Sequence, residues 1–383
     1  MRKPLEMYIH IPFCVRKCGY CDFLSGPAPT NVQDLYVEQL IGEISGQGTH
    51  YSGYTVNSVF LGGGTPSLLM PGQIFGIMDK VQHHFNLAED AEVTIEANPG
   101  TVTMEKLDAW KEGGINRISI GLQSTDDNEL RNLGRIHTYD EFLKTYQRVR
   151  QAGFDNVNID LMSALPGQTL ESWKTTLKNV VRLKPEHISA YSLMLEKGTP
   201  FYEKYHNHPE LLPDEETERQ MYYTTKEVLQ SKGFYRYETS NYAKPGKECR
   251  HNIGYWTGVE YLGLGLGAAS YIKGFRFHNE RNMKIYCRLN MKGRQADDWL
   301  HQEIVSLSQK EEMEEFMFLG LRMMKGVSEE DFLKRFGVDI WTVYGEVLNK
   351  LERTQLITIE APYVRLTDFG IDISNYVLSE FLL

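Results

Sequence analysis

Short apolar runs alternate with longer stretches of helical periodicity along the first half of the chain. The apolar runs predict six strands, at 7–11, 58–61, 92–96, 117–121, 156–161 and 187–193. Between them, apolar residues recur at helical spacing and predict helices near 31–46, 71–86, 103–113, 138–152 and 169–183. Strand–helix alternation of this kind is typical of βαβ units, which build a parallel sheet.

The pattern changes after residue 200, where three prolines precede a helix predicted at 214–232. A tyrosine-rich segment follows at 233–256 and a glycine-rich run at 263–267. Helical spacing returns after residue 308 and predicts three helices and two short strands, at 311–324, 328–336, 339–353, 356–359 and 363–366. Because three helices with a two-stranded wing are typical of a winged-helix module, we divide the chain into units 1–200, 201–305 and 306–383.

Polar and glycine residues stand where the predicted strands end. Gly63, Gly64 and Thr65 follow the second strand, and the next three strands end at Glu96, Gln123 and Asp160. In parallel α/β folds, ligands bind at the carboxyl ends of the strands, where the βα loops converge. These residues are therefore predicted to line a single ligand cavity at this edge of the sheet, which we call the mouth. Packing alone would not explain why buried strands end in polar groups.

Composition and charge narrow the class of protein. The chain has 383 residues, of which 41% are hydrophobic, and a net charge of −10, which argues against non-specific binding to nucleic acid or acidic membranes. No basic stretch precedes an apolar run at the N-terminus, and no window reaches the roughly 18 apolar residues of a membrane span. We expect a cytoplasmic protein.

Three of the five cysteines, Cys14, Cys18 and Cys21, fall in the loop directly after the first strand, whereas Cys249 and Cys287 stand alone. This distribution indicates a metal site in a reducing compartment, not a disulfide framework. Soft thiolates favour zinc, copper(I) or an iron–sulfur cluster, but a structural zinc site needs four ligands. His10 is near in sequence and is the candidate for the fourth ligand of a zinc ion. Three thiolates on a [4Fe–4S] cubane would leave one iron open to a small chelating molecule.

Segment 8–21 (YIHIPFCVRKCGYC) resembles the signature loop of radical S-adenosylmethionine enzymes. It is most similar to the group that contains oxygen-independent coproporphyrinogen III oxidase and heme chaperone HemW. The similarity covers nearly the whole chain and continues through five motifs, 62–66 (GGGTP), 96–99 (EANP), 121–124 (GLQS), 135–137 (RIH) and 158–161 (NIDL). It implies a partial (β/α)6 barrel with a small C-terminal winged-helix-like α+β domain.

The resemblance also implies a [4Fe–4S] cluster on the three cysteines, with S-adenosylmethionine on the open iron. The reduced cluster would cleave the sulfonium to a 5′-deoxyadenosyl radical, and the protein would orient and shield that step. Glu96 would then pair with the ligand's ammonium group and Arg135 with its carboxylate or another acidic group. The remaining contacts would come from glycine backbone, hydroxyl, amide, carboxylate and aromatic groups: Gly63, Gly64, Thr65, Gln123, Asp160, Tyr8 and Tyr20.

Three departures separate the chain from the oxidases. Those enzymes usually carry a cysteine two positions beyond the third cluster ligand, where this chain has Phe23, and they have an N-terminal extension, whereas Tyr8 here is preceded by seven residues. They also bind a second S-adenosylmethionine, and this chain gives no clear site for it. The haem-chaperone branch instead carries a His-Asn-x-x-Tyr-Trp motif, found here as His251, Asn252, Tyr255 and Trp256. Imidazole is a common axial ligand of haem iron, and aromatic rings stack on porphyrin.

Three functions follow from these features. The first is binding of haem and its transfer to acceptor proteins, among which are membrane cytochromes, with an electron donor for the cluster and a possible homodimer. The alternative is an enzyme, the radical decarboxylation of coproporphyrinogen III to protoporphyrinogen IX. The third, nucleic-acid binding by the C-terminal module, is disfavoured because helix 339–353 carries acidic as well as basic residues. We expect no nucleic-acid partner.

Overall fold

The structure is a computed structural model, described here for residues 2–289 and 300–383. Six parallel strands run side by side in chain order through its centre. They are β1 (Lys3–Ile11), β2 (Tyr54–Gly63), β3 (Leu87–Ala97), β4 (Arg117–Gln123), β5 (Val157–Ser163) and β6 (His187–Ser192). All six strands predicted from the sequence are confirmed.

Helices connect these strands, as the periodicity predicted. They are α1 (Thr30–Gln47), α2 (Pro71–His84), α3 (Met104–Glu112), α4 (Asp127–Leu133), α5 (Tyr139–Gln151) and α6 (Leu170–Arg182). Five of them match the predicted helices, and α4 is an additional short helix. The sheet with its crossover helices confirms the α/β barrel-type fold.

Further strands extend the central sheet at both edges, and the sequence analysis did not predict them. At the β6 edge lie β8 (Asn241–Ala243) and β7 (Tyr235–Arg236). At the β1 edge lie β9 (Tyr261–Leu264), β10 (Ala269–Ile272), β11 (Phe275–Asn279) and β12 (His301–Ser306). The glycine-rich run therefore covers the end of β9 and the turn after it. The helices of this region are α7 (Pro200–Tyr205), α8 (Glu215–Gln230), α9 (Arg250–Trp256) and α10 (Met283–Tyr286).

The C-terminal part has its own hydrophobic core. Its three predicted helices are confirmed as α11 (Gln309–Gly320), α12 (Glu329–Phe336) and α13 (Ile340–Arg353), and the wing as β14 (Ile357–Glu360) and β15 (Tyr363–Leu366). A third short strand, β13 (Val327–Ser328), pairs with β15, and two helices follow, α14 (Asp368–Asp372) and α15 (Ser374–Ser379). Lys350 of α13 pairs with Glu380 at 2.6 Å, which neutralises one of this helix's cations.

The alternation of residues along β1 shows how the central sheet positions a site. Leu5, Met7, Ile9 and Ile11 are completely buried in the main core, and the residues between them are Glu6, Tyr8 and His10. Because successive side chains of a strand point to opposite faces, these polar residues share the other face of the sheet. We call this the inner face. No helix in the described part of the chain is both long and apolar enough to cross a membrane.

Candidate functional site

The cysteine loop leaves β1 and is fixed to the loop that follows β2. The backbone N–H groups of Gly64 and Thr65 donate to the carbonyls of Ile11 and Phe13, at 2.9 and 2.6 Å. The Cys14 N–H donates to the Gly26 carbonyl at 3.1 Å and closes the loop at its other end. The three cysteines are thus held by backbone contacts on both sides of the loop.

The thiols of this loop are free, half-buried and close enough to influence one another electrostatically. Burial raises the pKa of Cys14 and of Cys21, and the neighbouring thiols raise both further. A bound metal centre would reverse this effect, since the ligand form is the thiolate and metal binding releases the proton. The loop therefore has the chemistry of a metal-binding loop.

A single zinc ion does not fit this arrangement. Within residues 2–289 and 300–383, no group of three or more His, Cys, Asp or Glu side chains is placed to hold one metal ion. His10 is also engaged, because its Nδ1 lies 3.0 Å from the Tyr8 hydroxyl and its Nε2 lies 2.9 Å from the Leu24 carbonyl oxygen. In a cubane each thiolate binds a different iron, so three thiolates need not converge on one point.

One cavity of about 410 Å³ opens beside the three cysteines and is lined by the strand ends. Nearly all residues expected at the mouth lie on its wall: Cys14, Cys18, Tyr20, Cys21, Gly63, Gly64, Thr65, Glu96, Gln123, Arg135 and Asp160. Asn98, in the 96–99 motif at the end of the third strand, lies on the same wall as expected, whereas sequence reasoning missed Ser119 and Tyr191, which also line it. Tyr191 stands near a strand end and so carried the same signal as the others, but Ser119 lies inside β4.

Two partly buried carboxyl groups share this cavity. Burial, and secondarily the charge of Asp160, raises the pKa of Glu96 to about 8, although Glu96 accepts a 3.0 Å hydrogen bond from the Gly63 N–H. Burial also raises the pKa of Asp160, which accepts from Ser119 Oγ at 2.9 Å and Asn158 Nδ2 at 2.7 Å. The charge of Arg117 lowers both pKa values but does not offset the effect of burial, so a cationic ligand would stabilise both carboxylates.

Arg135 spans the other side of the cavity. Its Nη2 donates to the Asn98 side-chain oxygen at 2.7 Å and to the Gly121 carbonyl at 2.6 Å, while Nη1 lies 4.0 Å from the Cys18 sulfur. Asn98 in turn donates to Thr65 Oγ1 at 2.8 Å. The guanidinium is thereby fixed between the cysteine loop and the strand ends, with its Nε still unpartnered.

Backbone conformation shapes the cavity at two strand ends. A Cβ on Gly63, whose φ is +104°, would come within 2.3 Å of the His10 ring, so this position requires glycine. Gln123 has a φ of +73°, which is strained for a residue with a side chain, and it follows an irregularity in the β4–β5 register. Strained residues of this kind cluster at ligand sites.

These features fit a cubane with one open iron and a small zwitterionic ligand beside it. The lining offers three thiols, the Glu96 carboxyl suited to an ammonium group, a fixed guanidinium suited to a carboxylate, and a side-chain-free turn for close approach. Tyr20 lies on the wall as predicted. Tyr8 does not line the cavity; it lies beneath it on the inner face, bonded to His10.

The His-Asn-x-x-Tyr-Trp motif lies elsewhere, on α9 at the inner face. His251 is only 2% exposed, its Nδ1 lies 2.7 Å from Ser58 Oγ, and its ring stacks on Phe60 with a centroid distance of 5.0 Å. Tyr255 packs edge-on against the His251 ring at 4.9 Å. Haem iron is bound by an imidazole nitrogen; here Nδ1 is engaged by Ser58 and Nε2 is buried without a partner, so ligation by His251 would require Nε2 to become exposed and stays a prediction.

The other motif residues also serve packing in this structure. Asn252 is partly buried, and its backbone N–H lies by the completely buried Cys249 thiol. Trp256 is partly buried beneath the Arg322 guanidinium, 4.9 Å from its ring, and its indole N–H has no partner. The structure thus separates the motif from the cysteine loop instead of bringing both to one surface.

Comparison with known proteins agrees with the fold. The Radical SAM superfamily profile matches residues 8–180, and the HemN C-terminal domain profile matches residues 307–373. In structure, the chain resembles coproporphyrinogen III oxidase (HemN) from Escherichia coli with a TM-score of 0.85 over 100% of this chain and 90% of that one. At 23% identity, this likeness establishes the fold alone.

The relatives found by sequence identify the family more specifically than the structural similarity does. The chain is 35% identical to heme chaperone HemW of Lactococcus lactis over 100% of this chain and 98% of that protein. It is 35% identical to heme chaperone HemW of Bacillus subtilis over 98% of both chains, and 40% identical to that of Escherichia coli over 69% of both. Superfamily membership implies a [4Fe–4S] cluster and S-adenosylmethionine as cofactors. The chain belongs to the heme chaperone HemW family within the radical SAM superfamily.

Proposed function

We propose that this protein is a haem chaperone that binds haem and transfers it to acceptor proteins. The observation that carries the proposal is the full-length relationship to proteins named heme chaperones, at 35% identity over 100% of this chain. Membrane cytochromes are one class of acceptor that fits. An electron donor for the cluster and assembly as a homodimer belong to the same proposal.

The cluster and S-adenosylmethionine would occupy the cavity at the strand ends. When bound, they supply one-electron chemistry, or a ligand-dependent signal, beside the haem-handling function. Cys14, Cys18 and Cys21 would hold the cluster. The Glu96 carboxylate would accept from the ligand's ammonium group and Arg135 would donate to its carboxylate, because each is the buried charge that matches that group.

The remaining lining would fix the rest of the ligand. Asp160 is positioned by Ser119 and Asn158 to accept from ribose hydroxyls. Gln123 offers an amide for hydrogen bonding, Thr65 a hydroxyl, and Tyr20 a flat wall near the cluster. Gly63 and Gly64 let the backbone approach the amino-acid end.

The charge of the mouth favours haem handling over coproporphyrinogen decarboxylation. Four propionates of that substrate would need about as many cations, whereas the cavity wall carries three, Arg16, Lys17 and Arg135, and Arg135 is already assigned to the carboxylate of S-adenosylmethionine. Arg135 bonds Gly121, Arg16 bonds Gly134 at 2.7 Å and Lys17 bonds Phe23 at 2.8 Å. Phe23 itself is 60% exposed at the position where the oxidases usually carry a further cysteine.

A haem titration of the anaerobically reconstituted protein tests the proposal. We expect a Soret band that saturates at one haem per chain, and transfer of that haem to an added apo-haemoprotein. A signal that rises without saturation, as with haem adsorbed to any surface, would refute haem binding. Saturable binding without transfer would refute the chaperone function.

An activity assay distinguishes the haem chaperone from the alternative, an enzyme that decarboxylates coproporphyrinogen III. The protein is incubated anaerobically with coproporphyrinogen III, S-adenosylmethionine and a reductant, with the Escherichia coli oxidase as the positive control. We expect decarboxylated product only in the control. Formation of protoporphyrinogen IX by this protein at a comparable rate would establish the enzyme and contradict the chaperone proposal.

A further inference from the structure

A continuous column of aromatic rings runs along the inner face from α9 to the cysteine loop. His251 stacks on Phe60 at 5.0 Å with an interplanar angle of 25°, and Phe60 stacks on Tyr8 at 6.4 Å and 27°. The Tyr8 hydroxyl lies 3.0 Å from Nδ1 of His10. We call these four residues the aromatic column.

The upper end of the column contacts both loops that form the ligand cavity. His10 Nε2 lies 2.9 Å from the Leu24 carbonyl oxygen, three residues beyond the last cluster cysteine. Since a carbonyl only accepts, Nε2 carries the proton and Nδ1 accepts from Tyr8. The same His10 ring and Tyr8 hydroxyl lie against the side-chain-free position of Gly63, within 2.3 and 3.0 Å of where a Cβ would be. Gly63 in turn donates to Glu96.

The lower end of the column is fixed by a buried polar cluster. Ser58 Oγ lies 2.7 Å from His251 Nδ1 and also bonds Glu6. The backbone N–H groups at the start of α9, of Arg250 and His251, donate to the Glu92 carboxylate at 3.1 and 3.2 Å. The base of the column is therefore attached to β1, β2 and β3, the strands that deliver the cysteine loop, the glycine turn and Glu96.

We propose that His251 is a positioning residue whose ring, through Phe60, Tyr8 and His10, holds the glycine turn and the cysteine loop in the arrangement that binds S-adenosylmethionine. The imidazole suits this function, because burial lowers its pKa to about 3 and it stays neutral in the core. Its Nε2 has no hydrogen-bond partner, so the ring acts on the rest of the column by stacking on Phe60 and not through a second hydrogen bond. This inference goes beyond the haem-chaperone proposal and does not depend on it.

The test compares S-adenosylmethionine binding among variants of the full-length, anaerobically reconstituted protein. His251→Ala interrupts the column, and Phe60→Leu interrupts it one step higher while keeping apolar volume. We expect each to keep its cluster but to bind S-adenosylmethionine about threefold to thirtyfold more weakly, the range of coupling through packed networks. The change that the ligand causes in the electron paramagnetic resonance spectrum of the reduced cluster should weaken in parallel.

Two further variants distinguish the column from general packing. His251→Phe keeps the stacked ring and loses only the Ser58 bond, so we expect its affinity to stay within about threefold of wild type. Trp256→Phe is the matched control on the same helix; its indole N–H has no partner, and the ring lies against Arg322 instead of the column. We expect this control to bind like wild type.

Hydrogen exchange gives an independent readout. Peptides covering 12–26 should exchange faster in His251→Ala and Phe60→Leu than in the control. If His251→Ala does not fold, Phe60→Leu decides. Wild-type affinity in both interrupted variants would overturn the proposal, and so would an equal loss in Trp256→Phe, which would mean that any change in α9 acts the same way.

Discussion

The pKa of Glu96 makes S-adenosylmethionine binding depend on pH in a defined direction. Burial and Asp160 raise that pKa to about 8 in the ligand-free site, so the carboxyl is about half ionised at pH 8 and about 1% ionised at pH 6. Only the carboxylate pairs with an ammonium group. Protonation therefore competes with the ligand, and affinity falls as pH falls below 8.

The magnitude follows from the free energy of ionising the group. Each pH unit below the pKa costs about 1.4 kcal/mol, so the dissociation constant should rise about fiftyfold between pH 8 and pH 6. Glu96→Gln cannot titrate, so its dissociation constant should be flat over this interval. At pH 8 it should also be weaker than wild type by about 1.5–3 kcal/mol, the value of a charge-assisted hydrogen bond.

Equilibrium dialysis of the oxidised, reconstituted protein measures this without consuming the ligand. Glu129→Gln is the matched control, because Glu129 is also buried and hydrogen-bonded, to Ser124 at 2.5 Å and Gln168 at 2.9 Å, but lies off the cavity wall. Asp160→Asn should shift the profile to lower pH, since the Asp160 charge raises the pKa of Glu96. A wild-type affinity that does not change from pH 6 to 8 would refute the assignment of Glu96 to the ammonium group.

Three further predictions concern other parts of the molecule. Cys18→Ala should lose iron and the visible absorption of the cluster, whereas Cys249→Ala should keep both, because Cys249 is buried off the cavity wall; equal iron loss in the two would contradict the assignment. Burial raises the pKa of Glu43 from 4.5 to about 7, so the folded state binds this proton more tightly than the unfolded state and the contribution of Glu43 to stability should decline from pH 4.5 to pH 7. Glu43→Gln lacks this contribution, so its free energy of unfolding should decline by about 3 kcal/mol less than that of wild type over this interval. Urea unfolding of both proteins at pH 5 and pH 8 measures the difference, and equal changes in the two would contradict the prediction. Arg135→Lys keeps the charge but lacks the planar guanidinium, which bonds Asn98 and Gly121 through Nη2 and has further N–H groups to offer a carboxylate, so S-adenosylmethionine affinity should fall about tenfold with the cluster retained; unchanged affinity would exclude Arg135 from the ligand's carboxylate.

The sequence predicted the helices and strands whose apolar residues recur in long, regular patterns. β1–β6 carry apolar runs, and five of the six helices that connect them carry apolar residues at helical spacing, so pattern alone located these elements. The strands β7–β12 are two to six residues long and pair mainly through tertiary contact, which gives no local signal. The short α9 within the tyrosine-rich segment was missed for the same reason.

The candidate site, too, could be predicted only in part from the sequence. Residues at strand ends could be placed at one mouth because parallel topology brings those ends together, and the cavity wall contains all six of them. Tyr8, which lies inside β1, is not on that wall. Tyr8 belongs to the alternating set Glu6, Tyr8 and His10, a pattern that indicates the inner face of the sheet and not the edge where the strands end. The position of His251 could not be predicted, since a motif states which residues occur together but not whether the imidazole faces solvent or the core.

Native mass spectrometry of the anaerobically reconstituted protein, mixed with one equivalent of haem, tests the central claim most directly. A haem chaperone of this family should show chains that carry one [4Fe–4S] cluster and one haem together, and the haem mass should leave when an apo-haemoprotein is added. Chains that carry the cluster but never the haem, while the apo-haemoprotein in the same mixture takes it up, would contradict the account.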